Sequence, residues 1–395
     1  MLPSYYEFYN PVKILSGKKA LDNLPHELGK LGAKKPLIVT DQGVNKAGLI
    51  KHVRHAFDGT DTIIGAIYDQ VPSDSSKNTV NELVQVYRAN QCDSIIAVGG
   101  GSVIDTAKGL NILVTEDADD LMKFQGVDYL EKPMKPFIVV PTTAGTGSEV
   151  TGVAVIADPG RNNLKMGFAS RTLLPDVAVI DPRMTVTLPP RLTAATGIDA
   201  LAHAMEGYIC LQKNPLSDAY AWAAIKLISD HLVKVVKNGN DENGRLALAN
   251  AACMAGVTVS NSIAGIVHSL GHATGGICGI PHGDTINIFL PHGLEYNMSR
   301  SRDLIAELLL PLAGPEIYSQ TPLVKRAEKT VEFIRELQDE LYKLTKLPRT
   351  LKEAGVPKEQ FEKIARMAID DGSVAFNPVE LEYSDALRIL NKAYE

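Results

Sequence analysis

The sequence has few cysteines: four in 395 residues, with no two in a CxxC arrangement. Scattered thiols of this kind are typical of a reducing compartment, and their spacing argues against a cysteine-ligated zinc site. Cys278 lies four residues before His282, and we interpret it as a small packing residue. The four cysteines are Cys92, Cys210, Cys253 and Cys278.

The sequence also lacks a surplus of charge and any long apolar run. Its formal net charge is -6 at pH 7 and it has no lysine-rich or arginine-rich segment, so it offers no basic field for nucleic acid. The first nine residues, MLPSYYEFY, contain neither the basic nor the apolar part of a secretory signal, and no later stretch is long enough to span a bilayer. We therefore expect a cytoplasmic protein with neither nucleic acid nor a membrane as a partner.

The length and the apolar pattern predict two domains. A chain of 395 residues that is 45% apolar exceeds the size at which a single core stops growing. Short β-branched runs alternate with helical stretches up to about residue 185, as in a parallel sheet covered by helices. After Pro189-Pro190 the apolar spacing is that of long helices. We predict an α/β domain at residues 1–185 and an all-α domain at residues 186–395.

Individual elements follow from the same pattern, and no internal repeat or low-complexity segment interrupts it. Thr187 is the expected N-cap of the first long helix, with both prolines in its first turn. The predicted strands are residues 37–39, 63–67, 95–98, 137–140 and 177–180. The first long helices are predicted at residues 192–210, 217–236 and 245–260.

Four residues in the second half of the chain have the pattern of ligands to one divalent metal. Asp199 and His203 are four apart, which places a carboxylate and an imidazole on the same helix face. That face is otherwise small and apolar, so burying an ionised Asp199 is costly unless a cation offsets its desolvation. His268 from a helix and His282 from a Gly/Pro-rich turn complete the set. The alternative is that Asp199 caps or forms a salt bridge while the histidines are packing residues.

Two glycine-rich loops in the first domain have the pattern of a phosphate-binding site. A predicted strand runs into Gly99, Gly100, Gly101 and Ser102, and a helix that contains Asp105 follows. Glycines let a pyrophosphate approach the backbone, and the free N–H groups of a helix start favour its negative charge. This turn is not a GxGxxG fingerprint, and alone it is equally consistent with a structural turn.

A second loop strengthens the interpretation, because Thr142, Thr143 and Thr146 also follow a strand. Open α/β sheets bind ligands at the carboxyl ends of their strands, so a dinucleotide is the expected ligand. Asp41, directly after the first predicted strand of the series, can accept hydrogen bonds from a ribose and would repel a 2'-phosphate. NAD is therefore expected rather than NADP, unless Asp41 only caps the next helix.

The order of these segments resembles the iron-containing, or group III, alcohol dehydrogenase family. The matching motifs cover almost the whole chain: Thr40-Asp41-Gln-Gly43, Gly99-Gly-Gly-Ser102-Val-Ile-Asp105, Pro141-Thr-Thr-Ala-Gly-Thr-Gly-Ser-Glu149, Ala195-Thr-Gly-Ile-Asp-Ala-Leu-Ala-His203, His268-Ser-Leu-Gly-His272 and Pro281-His282-Gly283. The chain departs from the family at Val71-Pro-Ser-Asp-Ser75, which lacks the usual Pro-Asn-Pro, and at Ala273-Thr274, where bulkier residues are common.

The resemblance implies a nucleotide-binding α/β domain, a helical metal domain and a catalytic metal in the cleft between them. It gives ligand roles to Asp199, His203, His268 and His282, with Fe(II) as the expected metal and Zn(II) as the second choice. It also implies a homodimer or larger homo-oligomer, in which the N-terminal segment Val12-Lys-Ile-Leu is an interface candidate. The residues with expected cofactor roles are Asp41, Gly99, Gly100, Gly101, Ser102, Asp105, Thr142, Thr143, Thr146 and Lys165.

The expected chemistry is hydride transfer between a small primary alcohol and NAD. A cation lowers the pKa of a bound alcohol, so that hydride can leave for the nicotinamide, and the reverse reaction reduces an aldehyde. His272, four residues after His268, is a candidate to relay the remaining proton or else a packed histidine. Lys165 either reaches the cofactor or extends along the surface into solvent.

Two other functions stay open at this point. One is a lyase resembling dehydroquinate synthase, which also combines NAD with a metal. Neutral, apolar segments around the expected ligands favour an uncharged alcohol over the sugar phosphate of such a lyase. The other is a nucleotide-binding protein that has lost turnover, which the four intact ligand residues argue against.

Overall fold

The computed structural model describes residues 4–161 and 164–395, and the chain forms two compact units. One unit is Asn10–Leu188, and the other comprises Pro189–Glu395 together with the described residues up to Tyr9. The division therefore falls after Leu188, three residues later than the predicted boundary at residue 185. Phe8 shows why the first residues join the second unit, since its ring stacks on that of Tyr220 with centroids 5.9 Å apart.

The first unit contains nine strands and five α-helices in the described part of the chain. The strands are β1 Lys13–Ser16, β2 Pro36–Val39, β3 Ala66–Tyr68, β4 Ser94–Gly99, β5 Gly126–Val127, β6 Phe137–Pro141, β7 Val153–Asp158, β8 Leu164–Ala169 and β9 Val177–Ile180. The helices are α1 Leu24–Lys30, α2 Gln42–Lys46, α3 Leu49–His55, α4 Lys77–Ala89 and α5 Gly101–Glu116.

Six of the strands form one parallel sheet in the order β1-β9-β6-β4-β2-β3. Successive residues of a strand point to opposite faces. Leu37 and Val39 accordingly belong to the apolar core on one face, and Ile38 belongs to the core on the other. Because both faces are covered, the strands are continuous apolar runs, as the sequence analysis assumed. The predicted α/β fold class is confirmed, although the strand predicted at residues 63–67 begins only at Ala66.

The strand order has a switch point between β2 and β4. The chain continues from β2 to β3 on one side, then returns to pair β4 with the other side of β2. Ligands of open α/β sheets bind in the crevice that such a reversal leaves at the carboxyl ends of the strands. Thr40 closes the base of this crevice, since its hydroxyl donates to the carbonyl of Val98 over 2.7 Å.

A second, smaller sheet was not predicted. It has the order β5-β8-β7, in which β7 and β8 form an antiparallel hairpin with Val153 opposite Ala169. Ala154, Ile156, Met166 and Phe168 are buried beneath it, in the same core as one face of the large sheet. The hairpin follows the threonine loop directly, so it determines where that loop ends.

The second unit has nine α-helices, a few short 3-10 turns and no strand in its described residues, which confirms the predicted class. These helices are α6 Pro190–Ile209, α7 Pro215–Lys237, α8 Glu242–Ser262, α9 Ile266–Cys278, α10 His282–Glu307, α11 Leu309–Gln320, α12 Arg326–Thr345, α13 Phe361–Ile369 and α14 Tyr383–Lys392. The predicted cap was wrong: α6 has Pro189 at its N-cap, without a side-chain cap bond, instead of Thr187. Pro190 needs no N–H partner in the first turn, so the helix starts without one.

Helix α6 is central to this unit and packs against α7, α8 and α10. It is buried along most of its length, which explains its small residues: a Cβ at Gly197 would lie 2.4 Å from Leu232 Cδ1. Among residues 4–161 and 164–395, no single helix has the length and apolar character to cross a membrane; α8 and α9 meet those criteria only as a pair bent by 103°.

Candidate metal centre and cofactor site

Helix α6 places three charged or ligating side chains along one buried face. Asp199, His203 and Glu206 are spaced by four and then three residues, so they lie on consecutive turns. Asp199 and Glu206 are each only 2% exposed, among alanines and other small residues. Two buried carboxylates on one helix need partners from other elements, and histidines of α9 and α10 provide them.

Three of the four predicted metal ligands converge on one point. Asp199 Oδ1 lies 3.5 Å from His268 Nε2 and 3.2 Å from His282 Nε2, and these ligand atoms all lie within 4.8 Å of one another. His203, the predicted fourth ligand, lies beside this group but does not belong to the set of atoms that are all within 4.8 Å of one another. Its Nδ1 is 4.0 Å from Asp199 Oδ1, and its ring stacks on that of His268 with centroids 4.2 Å apart.

The donor atoms of this cluster fit a divalent cation. Asp199 Oδ1, His203 Nδ1 and His268 Nε2 are buried, and none of the three has a hydrogen-bond partner of acceptable geometry. Buried polar atoms are normally satisfied, so three orphaned atoms in one place require an explanation. One carboxylate and several imidazoles are suitable ligands for Fe(II), Zn(II) and similar metals.

The pKa shifts in the cluster follow from burial and mutual charge. Burial raises the pKa of Asp199, but His203 and His282 outweigh that effect and hold the pKa well below its ordinary value. Burial and the neighbouring His268 lower the pKa of His203 to about 3, which keeps its imidazole neutral. Burial also acts to lower the pKa of His268, but the nearby carboxylates of Asp199 and Glu206 raise it to about 10.

Glu206 holds His268 from the side opposite Asp199. Its Oε2 lies 2.5 Å from His268 Nδ1, and its Oε1 accepts the backbone N–H of Val267 over 2.7 Å. The sequence analysis gave Glu206 no role. The signal was present in the spacing, because residues 199, 203 and 206 follow one helical stripe.

His272, the predicted proton relay, lies at the accessible edge of the cluster. Its side chain is 43% exposed and that of His282 is 40% exposed, and the two rings stack with centroids 5.3 Å apart. His272 Nδ1 lies 2.9 Å from Asp371 Oδ2, whose other oxygen accepts the N–H of Ser373. The sequence analysis missed Asp371, which is distant in the chain and lies in no motif.

In the first unit, the two predicted loops meet above the sheet edge. Strands β4 and β6 end in register, with Gly99 opposite Pro141. Side chains at Gly100 and Gly101 would be crowded, since a Cβ at the former would lie 3.2 Å from Thr143 Cγ2 and at the latter 3.0 Å from Thr146 Cγ2. The absence of side chains thus lets the threonine loop approach the start of α5, where free N–H groups favour an anion.

Ser102 and Asp105 have partners within the chain that the sequence analysis did not predict. The Ser102 hydroxyl donates to the carbonyl of Ser73, which fixes the segment that departs from the family motif. Asp105 Oδ2 accepts the N–H of Val155 in the β7–β8 hairpin over 3.0 Å, and burial raises the pKa of this carboxyl to about 6. Both side chains therefore support neighbouring backbone, while the backbone of the glycine turn faces the crevice.

Lys108 was also missed, although it anchors the end of the threonine loop. Its fully buried ammonium donates to the carbonyls of Ser148, Thr151 and Val153 over 2.9, 2.7 and 2.8 Å. Burial lowers its pKa to about 8. These bonds join helix α5 to the segment between the loop and the hairpin. The position of the loop is thus set by a lysine three residues beyond Asp105, the end of the glycine motif.

Asp41 and Lys165 each have a partner within the chain. Asp41 follows β2 at the switch point, and its Oδ1 caps α2 by accepting the N–H of Val44 over 2.9 Å. Asp41 therefore does cap α2, and it does so from a position at the switch point of the sheet. Lys165 is exposed, and its Nζ lies 3.2 Å from Asp74 Oδ1, in the segment that Ser102 fixes.

The chain combines a parallel sheet, with glycine and threonine loops at its switch point, and a carboxylate–imidazole cluster. This combination is typical of metal-dependent oxidoreductases that use a dinucleotide. Comparison with known proteins defines the family. The model described as "Iron-containing alcohol dehydrogenase" matches residues 11–182, and "Fe-containing alcohol dehydrogenase family, C-terminal" matches residues 193–394. The chain belongs to the iron-containing alcohol dehydrogenase family, which confirms the predicted resemblance and the class of oxidoreductase that acts on CH–OH donors.

Similar proteins span the full length of the chain. It is 35% identical over 390 residues to an NAD-dependent methanol dehydrogenase of Bacillus methanolicus, covering 98% of this chain and 99% of that protein. It is 34% identical over 391 residues to a 1,3-propanediol dehydrogenase of Klebsiella pneumoniae, with the same coverage of 98% and 99%. A crystal structure of 1,3-propanediol oxidoreductase superposes with a TM-score of 0.94 at 32% identity, covering 99% of this chain and 100% of the other.

Proposed function

We propose that this protein is an NAD-dependent dehydrogenase of small primary alcohols that holds Fe(II), or secondarily Zn(II), at Asp199, His203, His268 and His282. The observation that carries the proposal is the convergence of Asp199 Oδ1 with the Nε2 atoms of His268 and His282. The names of the similar proteins support NAD as the cofactor and short alcohols or diols as substrates.

The residues of the chain divide the work of the reaction. A divalent cation at this centre supplies Lewis acidity toward the alcohol or aldehyde oxygen, and NAD supplies the hydride acceptor. Asp199 provides the negative charge that attracts the cation, and the neutral imidazole of His203 offers a lone pair beside it. His272, with Nδ1 bound to Asp371, keeps Nε2 for accepting a proton from the alcohol. The glycine turn and the threonines hold the pyrophosphate of NAD.

The assembly and location follow from the sheet edge and the cysteines. Strand β1 pairs with β9 and, in the described residues, lies at an edge of the sheet, where a second copy could add its own strand. We propose a homodimer or larger homo-oligomer through this edge. Cys92, Cys210 and Cys278 are free thiols, as expected for an enzyme of the cytoplasm.

The function is tested by following NADH formation with a panel of alcohols from methanol to 1,3-propanediol. We expect turnover with primary alcohols when the protein is loaded with Fe(II) or Zn(II). A chelator should abolish this turnover, and added metal should restore it. The proposal would be wrong if neither alcohols nor the corresponding aldehydes gave metal-dependent turnover with either NAD or NADP.

Cofactor choice is tested at Asp41, whose charge and capping role can be separated. Asp41→Gly removes both, whereas Asp41→Asn keeps a good N-cap for α2 and removes only the charge that would repel a 2'-phosphate. We expect the wild type to prefer NAD, and both variants to raise kcat/KM for NADP relative to NAD by about 10-fold, or ~1.4 kcal/mol. Steady-state kinetics with both cofactors measure the ratio. An unchanged ratio in both variants would mean that Asp41 is only a cap.

A further inference from the structure

The carboxylate of Glu206 joins two elements that are otherwise separate. It belongs to α6, and its two oxygens contact the first turn of α9: Oε1 accepts the N–H of Val267, and Oε2 meets Nδ1 of His268. The residue is almost completely buried. Neither the expected ligand set nor the expected relay includes it.

The backbone contact explains how a carboxylate is held at this depth. Helix α9 has Gly265 at its N-cap, so no side chain of the cap residue satisfies the first N–H groups. Glu206 accepts one of them, and its charge is favoured at a helix N-terminus. A Cβ at Gly265 would lie 2.8 Å from Glu206 Oε1, so the glycine makes room for the carboxylate.

The side-chain contact determines the proton arrangement of His268. A carboxylate oxygen only accepts hydrogen bonds, so the hydrogen must be on Nδ1 of the imidazole. With the hydrogen on Nδ1, a neutral ring has its lone pair on Nε2, which lies 3.5 Å from Asp199 Oδ1. The hydrogen bond at one ring nitrogen thus decides which nitrogen can bind a metal.

We propose that Glu206 is a positioning residue of the metal centre, which keeps the hydrogen of His268 on Nδ1 and its Nε2 available for the cation. The inference rests on the proposed function, because it needs a metal at Asp199, His268 and His282. It adds a residue that acts through His268 without being a ligand.

The discriminating variant is Glu206→Gln, which keeps the size of the side chain. A carboxylate offers an acceptor to both Val267 N–H and His268 Nδ1–H, whereas an amide offers one acceptor and one donor. In the metal-free variant His268 can relieve the mismatch by moving its hydrogen to Nε2, the ligand atom. Metal binding at Nε2 then forces the hydrogen of His268 back to Nδ1. There it faces the N–H group of the introduced amide, and neither donor has an acceptor. We therefore expect metal affinity to fall by about 10- to 100-fold.

Affinity is measured by competing Zn(II) between the protein and a chelator of known strength. The control is Glu307→Gln, which removes another carboxylate that contacts α6, through Tyr208 Oη at 2.6 Å, but touches no expected ligand. Thermal unfolding and NADH binding should remain at wild-type values in both variants. Wild-type zinc affinity in Glu206→Gln would overturn the inference, and a wild-type protein that takes up no metal would overturn the proposed function and this inference together.

A second measurement does not depend on how the variant folds. In zinc-loaded wild-type protein labelled with 15N-histidine, His268 should show a proton on Nδ1 and a metal-bound Nε2. Assignment uses the loss of the signal in His268→Ala. A His268 ring with Nε2 protonated, or with metal on Nδ1, would overturn the inference even if metal were bound normally.

Discussion

Replacing His268 with alanine should remove the bound metal and lower turnover by ~10³-fold or more, while the protein stays folded. A metal that stabilises the charge on a substrate oxygen contributes several kcal/mol to the reaction, and its loss removes that contribution entirely. The fold should survive because the space left by the imidazole is lined by polar groups and can hold water that solvates Asp199 and Glu206.

His282→Ala should have the same effect, since His282 Nε2 is the ring nitrogen nearest to Asp199 Oδ1. The control is His231→Ala on α7, which removes an imidazole outside the site. Metal content is measured by elemental analysis, folding by circular dichroism and turnover by NADH formation. Full activity in a metal-free His268→Ala or His282→Ala protein would show that the cluster is not the catalytic metal centre.

Replacing His272 with alanine should keep metal and NAD binding but lower kcat by about 10²-fold, the usual contribution of a positioned proton acceptor. The effect should be on kcat because the residue acts on the reacting oxygen and the expected ligand set does not include it. The pH profile of alcohol oxidation separates this role from packing. Unchanged kcat and an unchanged profile in His272→Ala would mean that the residue only packs.

The direction of the pH effect follows from the surroundings of His272. The part of the ring that is covered by protein loses hydration, which lowers its pKa, and Asp371 acts in the opposite direction. The neutral imidazole is the form that accepts a proton, so oxidation should lose activity as the pH falls through this lowered pKa. Asp371→Asn removes the carboxylate that raises the pKa, so the acidic limb should move to lower pH. In His272→Ala the limb should disappear, and a limb that stays in place in both variants would belong to another group.

Local patterns in the sequence were sufficient for the elements and for part of the site. The apolar runs that became β2, β4, β6 and β9 could be recognised because a strand buried on both faces has no polar alternation to obscure it. The pairing of Asp199 with His203 followed from helical periodicity, which links neighbours within one turn. The order of the glycine, threonine and histidine motifs then indicated the family.

Contacts between distant parts of the chain were decided only by the tertiary structure. Asp371 is 99 residues from His272, and Glu206 is 62 residues from His268, so no periodicity connects either pair. Asp105 and Ser102, which the motif suggested as cofactor contacts, also bond within the chain, to the hairpin and to Ser73. The same holds for Lys108, whose three carbonyl partners exist only once the hairpin has packed on α5.

The physical reason is that sequence spacing specifies which side chains share a face of one helix or strand, whereas partners across elements depend on how those faces pack. The sequence alone therefore determined two units, their classes, the family and the residue types of a metal centre. The tertiary structure decided which of those residues converge and which neighbours orient them. It brings ligand atoms of Asp199, His268 and His282 within 4.8 Å of one another, with His203 Nδ1 4.0 Å from Asp199 Oδ1. A buried carboxylate or lysine reveals its function only through the groups that packing brings to it.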